Sequence, residues 1–210
     1  DLKNLRKSYN KDMIEFNHIP KDPIDLFKFW FKESLEINKN EANACVLSTV
    51  SNKGIPSSRV VLLKDLTDNG FVFFTNYNSS KAREISNNKN VALNFYWPEL
   101  ERQVRITGVT KQISEEASDK YFKSRPRSSQ IGAWASEQSN VIQFEYSFKD
   151  VITDIENRFH EKEVERPHFW GGYCIMPNKV EFWQGRPSRL HDRLVYFLDN
   201  GIWKSERLSP

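Results

Sequence analysis

A short segment, RLHDR at 189–193, carries two arginines, a histidine and an aspartate, and it closely follows the aromatic stretch EFWQG at 181–185. Arginine offers a planar fork of donors that fits phosphate or carboxylate, and histidine can carry a proton near neutral pH. The combination predicts one wall of a pocket for a planar, anionic ligand. The alternative is a strand edge that carries solvated charges, and this segment alone does not decide between the two.

A second candidate is the run SRVVLLK at 58–64, which places apolar residues between two cations. Its β-branched and leucine residues predict a buried strand. Because side chains alternate along a strand, Arg59 and Lys64 are expected on opposite faces. The two cations can hold two different anionic groups, or they can be strand-end charges in water.

A third candidate begins as a helix that Pro126 interrupts. Tyr121 and Arg125 are four residues apart, so on a helix their side chains can close on one group, although the proline disfavours helix at Arg125 itself. Ser128 or Ser129 can cap a following helix, whose N-terminal amides attract anions. The pattern predicts a phosphate-binding cup, and a polar turn between two helices is the alternative.

These three clusters and further motifs along nearly the whole chain resemble the pyridoxamine 5'-phosphate oxidase family, FMN-dependent enzymes that make pyridoxal 5'-phosphate. The order and spacing of the motifs make the resemblance specific. The motifs are LRKSY (5–9), DPIDLF (22–27), RVVLLK (59–64), FFTN (73–76), ERQV (101–104), SRPR (124–127), SQIGAW (129–134), QS (138–139), FWGG (169–172), WQG (183–185) and RLSP (207–210).

The resemblance implies separate groups of residues for cofactor and substrate. Arg189 and His191 would be the catalytic residues that flank the substrate's pyridine ring, and Arg6 with Tyr9 would form a mobile lid. The implied FMN-binding residues are Arg59, Val60, Val61, Leu62, Lys64, Phe74, Thr75, Ser80, Lys81, Gln103, Gln138, Ser139, Trp183 and Arg193. The implied substrate-binding residues are Arg6, Tyr9, Lys64, Tyr121, Arg125, Ser129, Arg189 and His191.

Two positions depart from the family's pattern. Ser80 stands where the family commonly has an arginine, and Phe74 stands where it commonly has a tyrosine. Losing one charge-assisted hydrogen bond would cost about 1.5–3 kcal/mol. We therefore expect the departures to affect the affinity for FMN rather than the identity of the cofactor.

The implied reaction is oxidation at C4' of pyridoxamine or pyridoxine 5'-phosphate. Hydride would pass to flavin N5, and dioxygen would then reoxidise the flavin and leave as hydrogen peroxide. The flavin would do the redox chemistry, while the protein supplies orientation and charge. Metal catalysis is not expected, because the histidines show no ligand spacing such as H-E-x-x-H.

The elements that must position these residues are mostly strands. Asp22 and Pro23 predict the start of a helix, and many short strands with hairpin turn signals predict an antiparallel barrel rather than a doubly wound sheet. The helix's predicted core stripe is Ile24, Phe27, Phe31 and Leu35. The predicted strands are 43–50, 57–64, 70–76, 90–97, 101–112, 169–176, 179–184, 192–199 and 202–207, and the later helices are 79–88, 115–124, 129–136 and 148–162.

This α+β pattern agrees with the FMN-binding split barrel that the resemblance implies. We expect a single domain over 1–210, with 1–20 as a lid-like N-terminal segment and about 168–210 as the region for dimerisation and the substrate site. FMN would lie in a groove between the two subunits of a homodimer. The expected partners are the small-molecule substrate and dioxygen, without nucleic acid or membrane.

Composition narrows the classes of protein. With 210 residues, 38% of them hydrophobic, the chain can bury one ample core. A formal net charge of +3 is nearly balanced, so no overall field favours nucleic acid. Cys45 and Cys174 have no C-x-x-C partner and are expected to be buried in a reducing compartment. The polar N-terminus and the lack of an 18-residue apolar run predict a soluble, cytoplasmic protein.

Two other classes stay open on the sequence alone. One is a split-barrel flavoprotein with a different substrate, against which the complete set of Lys64, Tyr121, Arg125 and Ser129 argues. The other is a non-catalytic barrel that carries pyridoxal phosphate or binds single-stranded nucleic acid through basic and aromatic residues. The balanced net charge argues against binding to nucleic acid.

Overall fold

The computed structural model describes residues 1–5 and 7–210, and its strands form one antiparallel sheet. Within these residues the strand order is β2-β1-β5-β6-β7-β4-β3, while β8 pairs with β7 and β9 pairs with β8. The predicted antiparallel β architecture is therefore confirmed. The strands are β1 (Ala44–Val50), β2 (Pro56–Leu62), β3 (Asp65–Thr67), β4 (Gly70–Asn76), β5 (Asn90–Trp97), β6 (Arg102–Gln112), β7 (Trp170–Gln184), β8 (Asp192–Asp199) and β9 (Ile202–Leu208).

Helices lie before and between the strands. They are α1 (Pro23–Ile37), α2 (Ser80–Asn87), α3 (Glu115–Ser124), α4 (Arg127–Ala135) and α5 (Phe148–Arg158). The predicted start of α1 is confirmed, because the Asp22 carboxylate accepts a hydrogen bond from the backbone N–H of Ile24 at 2.8 Å. Among the described residues, no helix is both long and apolar enough to cross a membrane.

The predicted serine cap of α4 is wrong. The helix begins at Arg127, and Pro126 occupies the N-cap position without a side-chain bond. The carbonyl of Pro126 accepts hydrogen bonds from the backbone N–H groups of Ser129 and Gln130, at 2.8 and 3.1 Å. Ser128 and Ser129 therefore lie inside the first turn, because the fixed φ of proline starts the helix earlier than a serine cap would.

The main core forms where α1 packs on the sheet. Phe27 is fully buried, with its ring centroid 4.9 Å from that of Phe71 and 5.1 Å from that of Phe95. Trp30 packs edge-on against Phe182 at 5.2 Å. Leu35, predicted for the core stripe, lies at its edge with 36% of its surface exposed. Trp30 is buried instead, because the apolar face of a packed helix is wider than a single row of residues.

The strand β7 is one continuous element, where the sequence predicts two strands, 169–176 and 179–184. Pro177 reads as a break in the sequence, but the pairing with β6 continues past it through a register shift between Thr107 and Gly108. Such a bulge accommodates a residue that cannot take part in regular pairing. A Cβ on Gly108 would lie 2.3 Å from the carbonyl oxygen of Met176, so only glycine fits this close approach.

The two cysteines are buried and unpaired, as predicted for small apolar residues. They lie in different parts of the sheet, Cys45 on β1 and Cys174 on β7. Burial raises the pKa of the Cys45 thiol to about 12, which makes it a poor nucleophile.

Replacing Phe27 with alanine tests how much the core depends on α1. We expect Phe27→Ala to lower the free energy of unfolding by about 3–5 kcal/mol, because it removes a ring enclosed by other rings. Phe29→Ala is the matched control on the same helix, because Phe29 is 57% exposed. Urea unfolding followed by circular dichroism measures both, and equal losses in the two variants would contradict this account of the core.

Candidate active site in two halves

The first half of the candidate site is a cavity of about 450 Å³, which we call the cationic cavity. It lies between β2, β4 and the start of β7 on one side and the helices α2, α3 and α4 on the other. Its lining includes most of the residues to which the resemblance assigns phosphate groups. The lining residues are Val60, Val61, Leu62, Lys64, Phe74, Thr75, Asn76, Lys81, Tyr121, Arg125, Pro126, Ser129, Gln138 and Trp170.

Side chains alternate along β2 as predicted, but the prediction of a buried strand is wrong, because every residue of β2 is exposed or only partly buried. Val60 and Leu62 are exposed, and Arg59 is half-buried on the opposite face. Arg59 does not line the cationic cavity, because its guanidinium donates hydrogen bonds to Glu84 at 3.1 Å, to Ser57 at 2.6 Å and to Thr49. The guanidinium is thus held by groups on β1, β2 and α2.

A buried lysine supplies positive charge inside the cavity. Lys81 is 8% exposed, and its Nζ donates to Thr75 Oγ1 at 3.3 Å. The Thr75 hydroxyl in turn donates to Gln138 Oε1 at 3.2 Å. Burial, and then the positive charge of Arg59, lower the pKa of Lys81, while Glu84 opposes this shift. The nearby Arg59 therefore adds to the positive potential at Lys81 although it does not line the cavity.

Arg125 is an incompletely satisfied cation in this cavity. It follows α3 in an extended conformation, and its guanidinium lies 4.5 Å from the ring centroid of Trp170. Its Nη1 atom is buried and has no hydrogen-bond partner among the described residues. Burial lowers the pKa of Arg125, and Tyr121 opposes the shift. A buried donor without a partner is costly, so an anion bound beside Arg125 would be stabilised.

An aromatic stack forms the apolar wall of the cationic cavity. The rings of Phe74 and Tyr121 are stacked with centroids 3.8 Å apart, and Trp170 lies 5.5 Å from Phe74. Trp170 belongs to the FWGG motif but is not among the residues to which the resemblance assigns a role. The sequence feature that could have identified Trp170 is its position beside two glycines, because glycine lets other groups approach the backbone closely. A Cβ on Gly172 would lie 2.9 Å from Phe74.

The second half of the candidate site lies at the far end of β7, and we call it the His191 cluster. The ring of Trp183 lies 4.7 Å from that of His191, and Tyr9 packs edge-on against both, at 5.6 and 5.8 Å. Gln103 joins the cluster because it pairs with Trp183 in the β6 to β7 register. Arg193 also pairs with Trp183, from β8.

The protonation state of His191 follows from its hydrogen bond. Its Nδ1 accepts from the backbone N–H of Arg186 at 3.0 Å, so in the neutral ring the proton is on Nε2. Burial and the nearby Arg189 lower the pKa of His191, while Asp192 opposes the shift. Arg189 itself is exposed in a turn, Pro187–Arg189, with a left-handed φ of 62°. The neutral imidazole can therefore donate one hydrogen bond from Nε2.

Some predicted residues lie apart from both halves. Ser139 is exposed next to Gln138 with a φ of 74°, and it does not line the cationic cavity. Ser80 accepts a hydrogen bond from Arg83 at 3.2 Å, so a guanidinium lies beside the position where the resemblance implies an arginine. Arg6 lies outside the described residues.

The two halves occupy opposite ends of β7. Trp170 belongs to the cationic cavity and Trp183 to the His191 cluster. At about 3.3 Å per residue, the strand between them is up to about 40 Å long. One chain therefore brings the predicted site residues together in two groups rather than in one pocket.

Solved structures of other proteins show the fold class of this chain. The fold is shared with PhzG of Burkholderia lata 383, solved in complex with tetrahydrophenazine-1-carboxylic acid, at a TM-score of 0.89 and 28% identity over 97% of this chain and 100% of that one. An FMN-binding protein from Nostoc punctiforme, related to pyridoxamine 5'-phosphate oxidase, matches with a TM-score of 0.73 and 17% identity over 91% and 100% of the two chains. The architecture is thus the split barrel found in FMN-binding proteins.

The family follows from the sequence comparisons. The model of the pyridoxamine 5'-phosphate oxidase family matches residues 31–158, and that of the pyridoxine 5'-phosphate oxidase C-terminal dimerisation region matches 170–210. The pyridoxine/pyridoxamine 5'-phosphate oxidase of Actinobacillus succinogenes is 49% identical and is covered over 100% of both chains. The chain belongs to the pyridoxamine 5'-phosphate oxidase family.

The pH dependence of stability tests the ion pairs that hold Arg193. Burial alone would raise the pKa of Glu181, but hydrogen bonds from Arg105 and Arg193 outweigh it and hold the pKa below its usual range. A lowered carboxyl pKa stabilises the fold above the unfolded value, near 4.3, and this stability is lost as the pH falls through the folded pKa.

We therefore expect Glu181→Gln to be less stable than the wild type at pH 7, by about 1–3 kcal/mol. The difference should shrink as the pH falls below about 4. Urea unfolding at several pH values measures it, with the exposed Glu206→Gln as control. A difference that does not change with pH would show that Glu181 acts by packing rather than by charge.

Proposed function

We propose that this chain is a homodimeric, FMN-dependent oxidase that converts pyridoxamine and pyridoxine 5'-phosphate to pyridoxal 5'-phosphate while dioxygen becomes hydrogen peroxide. Family membership over the whole chain and the names of its relatives support the reaction. The match to a dimerisation region supports the homodimer. The site's own geometry supports the arrangement of the cofactor within it.

The observation that carries this arrangement is the separation of the two halves along β7. A twofold axis brings the same patch of both subunits together, so the cationic cavity of one subunit can face the His191 cluster of the other. A dimer of this kind has two identical sites, each built from both subunits. FMN would lie at the subunit interface, where neither chain alone encloses it.

The residues of the cationic cavity fit two phosphate esters. Lys81, with Arg59 behind it, would face the FMN phosphate beside the start of α2, where backbone N–H groups also favour an anion. Arg125 and Ser129 would hold the substrate phosphate, and Lys64 would lie between the two ligands. Nη1 of Arg125 has no hydrogen-bond partner within residues 1–5 and 7–210, which supports this assignment, because a phosphate oxygen would satisfy it.

The His191 cluster would complete the site from the partner subunit. When bound, the flavin supplies the acceptor for two electrons from the substrate's C4' and passes them to dioxygen. Trp183 would cover the flavin with an apolar surface, and Arg193, fixed by Glu181, would hold it in place. His191 would donate a hydrogen bond from Nε2 and thereby position the pyridine ring, and Arg189 would contact the substrate near C4'.

The regions of the chain have separate tasks in this proposal. Residues 1–20 include a lid that carries Tyr9, and 168–210 supply β7 through β9, with the His191 cluster and part of the interface. Both belong to the single domain of 1–210. A different substrate is the second possibility, because PhzG was solved with an aromatic carboxylate. The pair of Arg125 and Lys64 favours a phosphate ester.

Mixing two variants that each bind the substrate weakly tests whether each site is shared. Arg125→Ala damages the cationic cavity, and His191→Ala damages the His191 cluster. In a mixed dimer one site carries both substitutions and the other carries neither. After subunit exchange, about a quarter of the sites should be intact and about a quarter of the wild-type activity should return.

The control for this mixing experiment uses two variants of the same half. Arg125→Ala mixed with Ser129→Ala should recover nothing, because every site then contains one substitution. Activity is measured at substrate concentrations well below the KM of both variants. No recovery in the first mixture, despite confirmed subunit exchange, would mean that one subunit forms the whole site.

A single substitution tests the assignment of the substrate phosphate. Arg125→Ala should raise the KM for pyridoxamine 5'-phosphate about ten- to a hundredfold, because a charge-assisted contact is lost. The visible absorbance of bound flavin should remain. Arg127→Ala is the control, since Arg127 binds the carbonyls of Phe159 and Lys162 instead. Loss of flavin with an unchanged KM would reverse the division of the two phosphates.

A further inference from the structure

Residues 7–14, before α1, cross the end of the β6 to β7 pairing and form neither a strand nor a helix. We call residues 7–14 the N-terminal segment. Its side chains are mostly exposed, and only Ile14 is buried. Among the described residues, no hydrogen bond between backbone atoms joins this segment to the rest of the protein. Side chains of the body must therefore hold it.

Glu101 is the first of these side chains. Its Oε2 accepts hydrogen bonds from the backbone N–H groups of Asn10 and Lys11, at 2.8 and 3.0 Å. Its Oε1 lies 3.1 Å from Nζ of Lys7, and its side chain is only 1% exposed. These contacts outweigh the effect of burial and lower the pKa of Glu101. Glu101 also has a left-handed φ of 54°, which a residue other than glycine rarely adopts.

Arg102 is the second side chain, and it is 4% exposed. Its Nη2 donates to Asp12 at 2.6 Å and its Nη1 donates to Glu33 at 2.5 Å. Its Nε donates to Gln184 at 2.7 Å, and its guanidinium lies over the ring of Trp30 at 4.4 Å. Arg102 thus connects the N-terminal segment with α1 and with the end of β7.

These contacts fix the position of Tyr9 at the His191 cluster. Tyr9 lies between the residues that Glu101 holds, Lys7 on one side and Asn10 on the other. Its ring rests on Gly185, where a Cβ would lie 2.7 Å from Tyr9 Cγ. The carbonyl of Glu101 accepts the backbone N–H of the same Gly185 at 2.7 Å. Glu101 therefore aligns both the segment and the surface that receives Tyr9.

We propose that Glu101 and Arg102 are positioning residues for substrate binding, which dock the N-terminal segment and thereby place Tyr9 beside Trp183 and His191. Neither residue needs to touch the substrate. This inference rests on the proposed function, because Tyr9 covers the substrate only if the His191 cluster forms part of that site. We call the contacts of Glu101 and Arg102 with the N-terminal segment the clamp. Disrupting the clamp should weaken substrate binding and leave the bound flavin in place.

Two carboxylates on the same guanidinium give a matched test. Asp12 and Glu33 both bind Arg102, but only Asp12 belongs to the N-terminal segment. In the holoenzyme, Asp12→Asn should raise the KM for pyridoxamine 5'-phosphate about tenfold with little change in kcat. Glu33→Gln should change the KM less than about twofold. Equal effects of the two variants on the KM would overturn the proposal.

A second pair of variants tests Glu101 itself. Glu101→Gln keeps the shape of the side chain but removes its charge, and it should raise the KM like Asp12→Asn. The exposed Glu99→Gln is its control. If Glu101→Gln does not fold, Asp12→Asn still decides, because Asp12 is half-exposed and its amide substitute fits the same place.

The route through Tyr9 separates positioning from general damage. In a Tyr9→Ala background, Asp12→Asn should add less than about a twofold change in KM, because the clamp then has no lid residue to place. A full tenfold change in that background would show that Asp12 acts elsewhere and would overturn the proposal.

Limited proteolysis measures whether the N-terminal segment is docked on the rest of the protein, and it does not depend on enzyme activity. Trypsin should cut after Lys7 several-fold faster in holoenzyme with Asp12→Asn or Glu101→Gln than in the wild type or in Glu33→Gln. Cleavage after Lys7 is followed because Asp12→Asn changes the residue next to Lys11. Unchanged cleavage would overturn the clamp, whereas faster cleavage in a protein without oxidase activity would overturn only the proposed function.

Discussion

The long antiparallel pairing of β6 with β7 is the constraint on which the rest of the structure depends. It runs from Arg102 opposite Gln184 to Gln112 opposite Tyr173 and continues through a bulge at Gly108. Because the pairing is continuous, the two ends of β7 cannot approach each other. The cationic cavity and the His191 cluster are therefore separate in one chain, and a second copy of the chain is the simplest means of bringing them together.

The cationic cavity concentrates charge that the fold does not neutralise. Arg59, outside the cavity lining, is matched by Glu84. Within the lining, Lys81 donates to a hydroxyl, and Arg125, against Trp170, has a buried Nη1 with no hydrogen-bond partner in the part of the chain that the structure describes. Burying such groups costs free energy unless an anion joins them. The large aromatic core around α1 can offset this cost. An anion that binds in the cationic cavity would relieve it, so part of the binding free energy comes from charges that destabilise the fold alone.

The local parts of this structure could be predicted, and the non-local parts could not. Strand alternation placed Arg59 and Val60 on opposite faces, and Asp22 with Pro23 marked the start of α1, because both rules depend on neighbouring residues. The partner of Arg59 is Glu84, twenty-five positions away, and no local rule indicates it. The sequence predicts two strands where β7 is continuous, because proline usually ends a strand. The partner strand β6 accommodates Pro177 through a bulge, which no local rule indicates.

Three consecutive residues at the start of β6 contact different parts of the protein, because side chains alternate between the faces of a strand. Glu101 precedes β6 and binds the N-terminal segment, Arg102 points inward to α1, and Gln103 lies on the other face opposite Trp183. Tyr9 and the His191 cluster therefore share one scaffold within one chain. In a dimer with shared sites, lid and histidine would approach each ligand together from one subunit, while the cations that hold the phosphates come from the other.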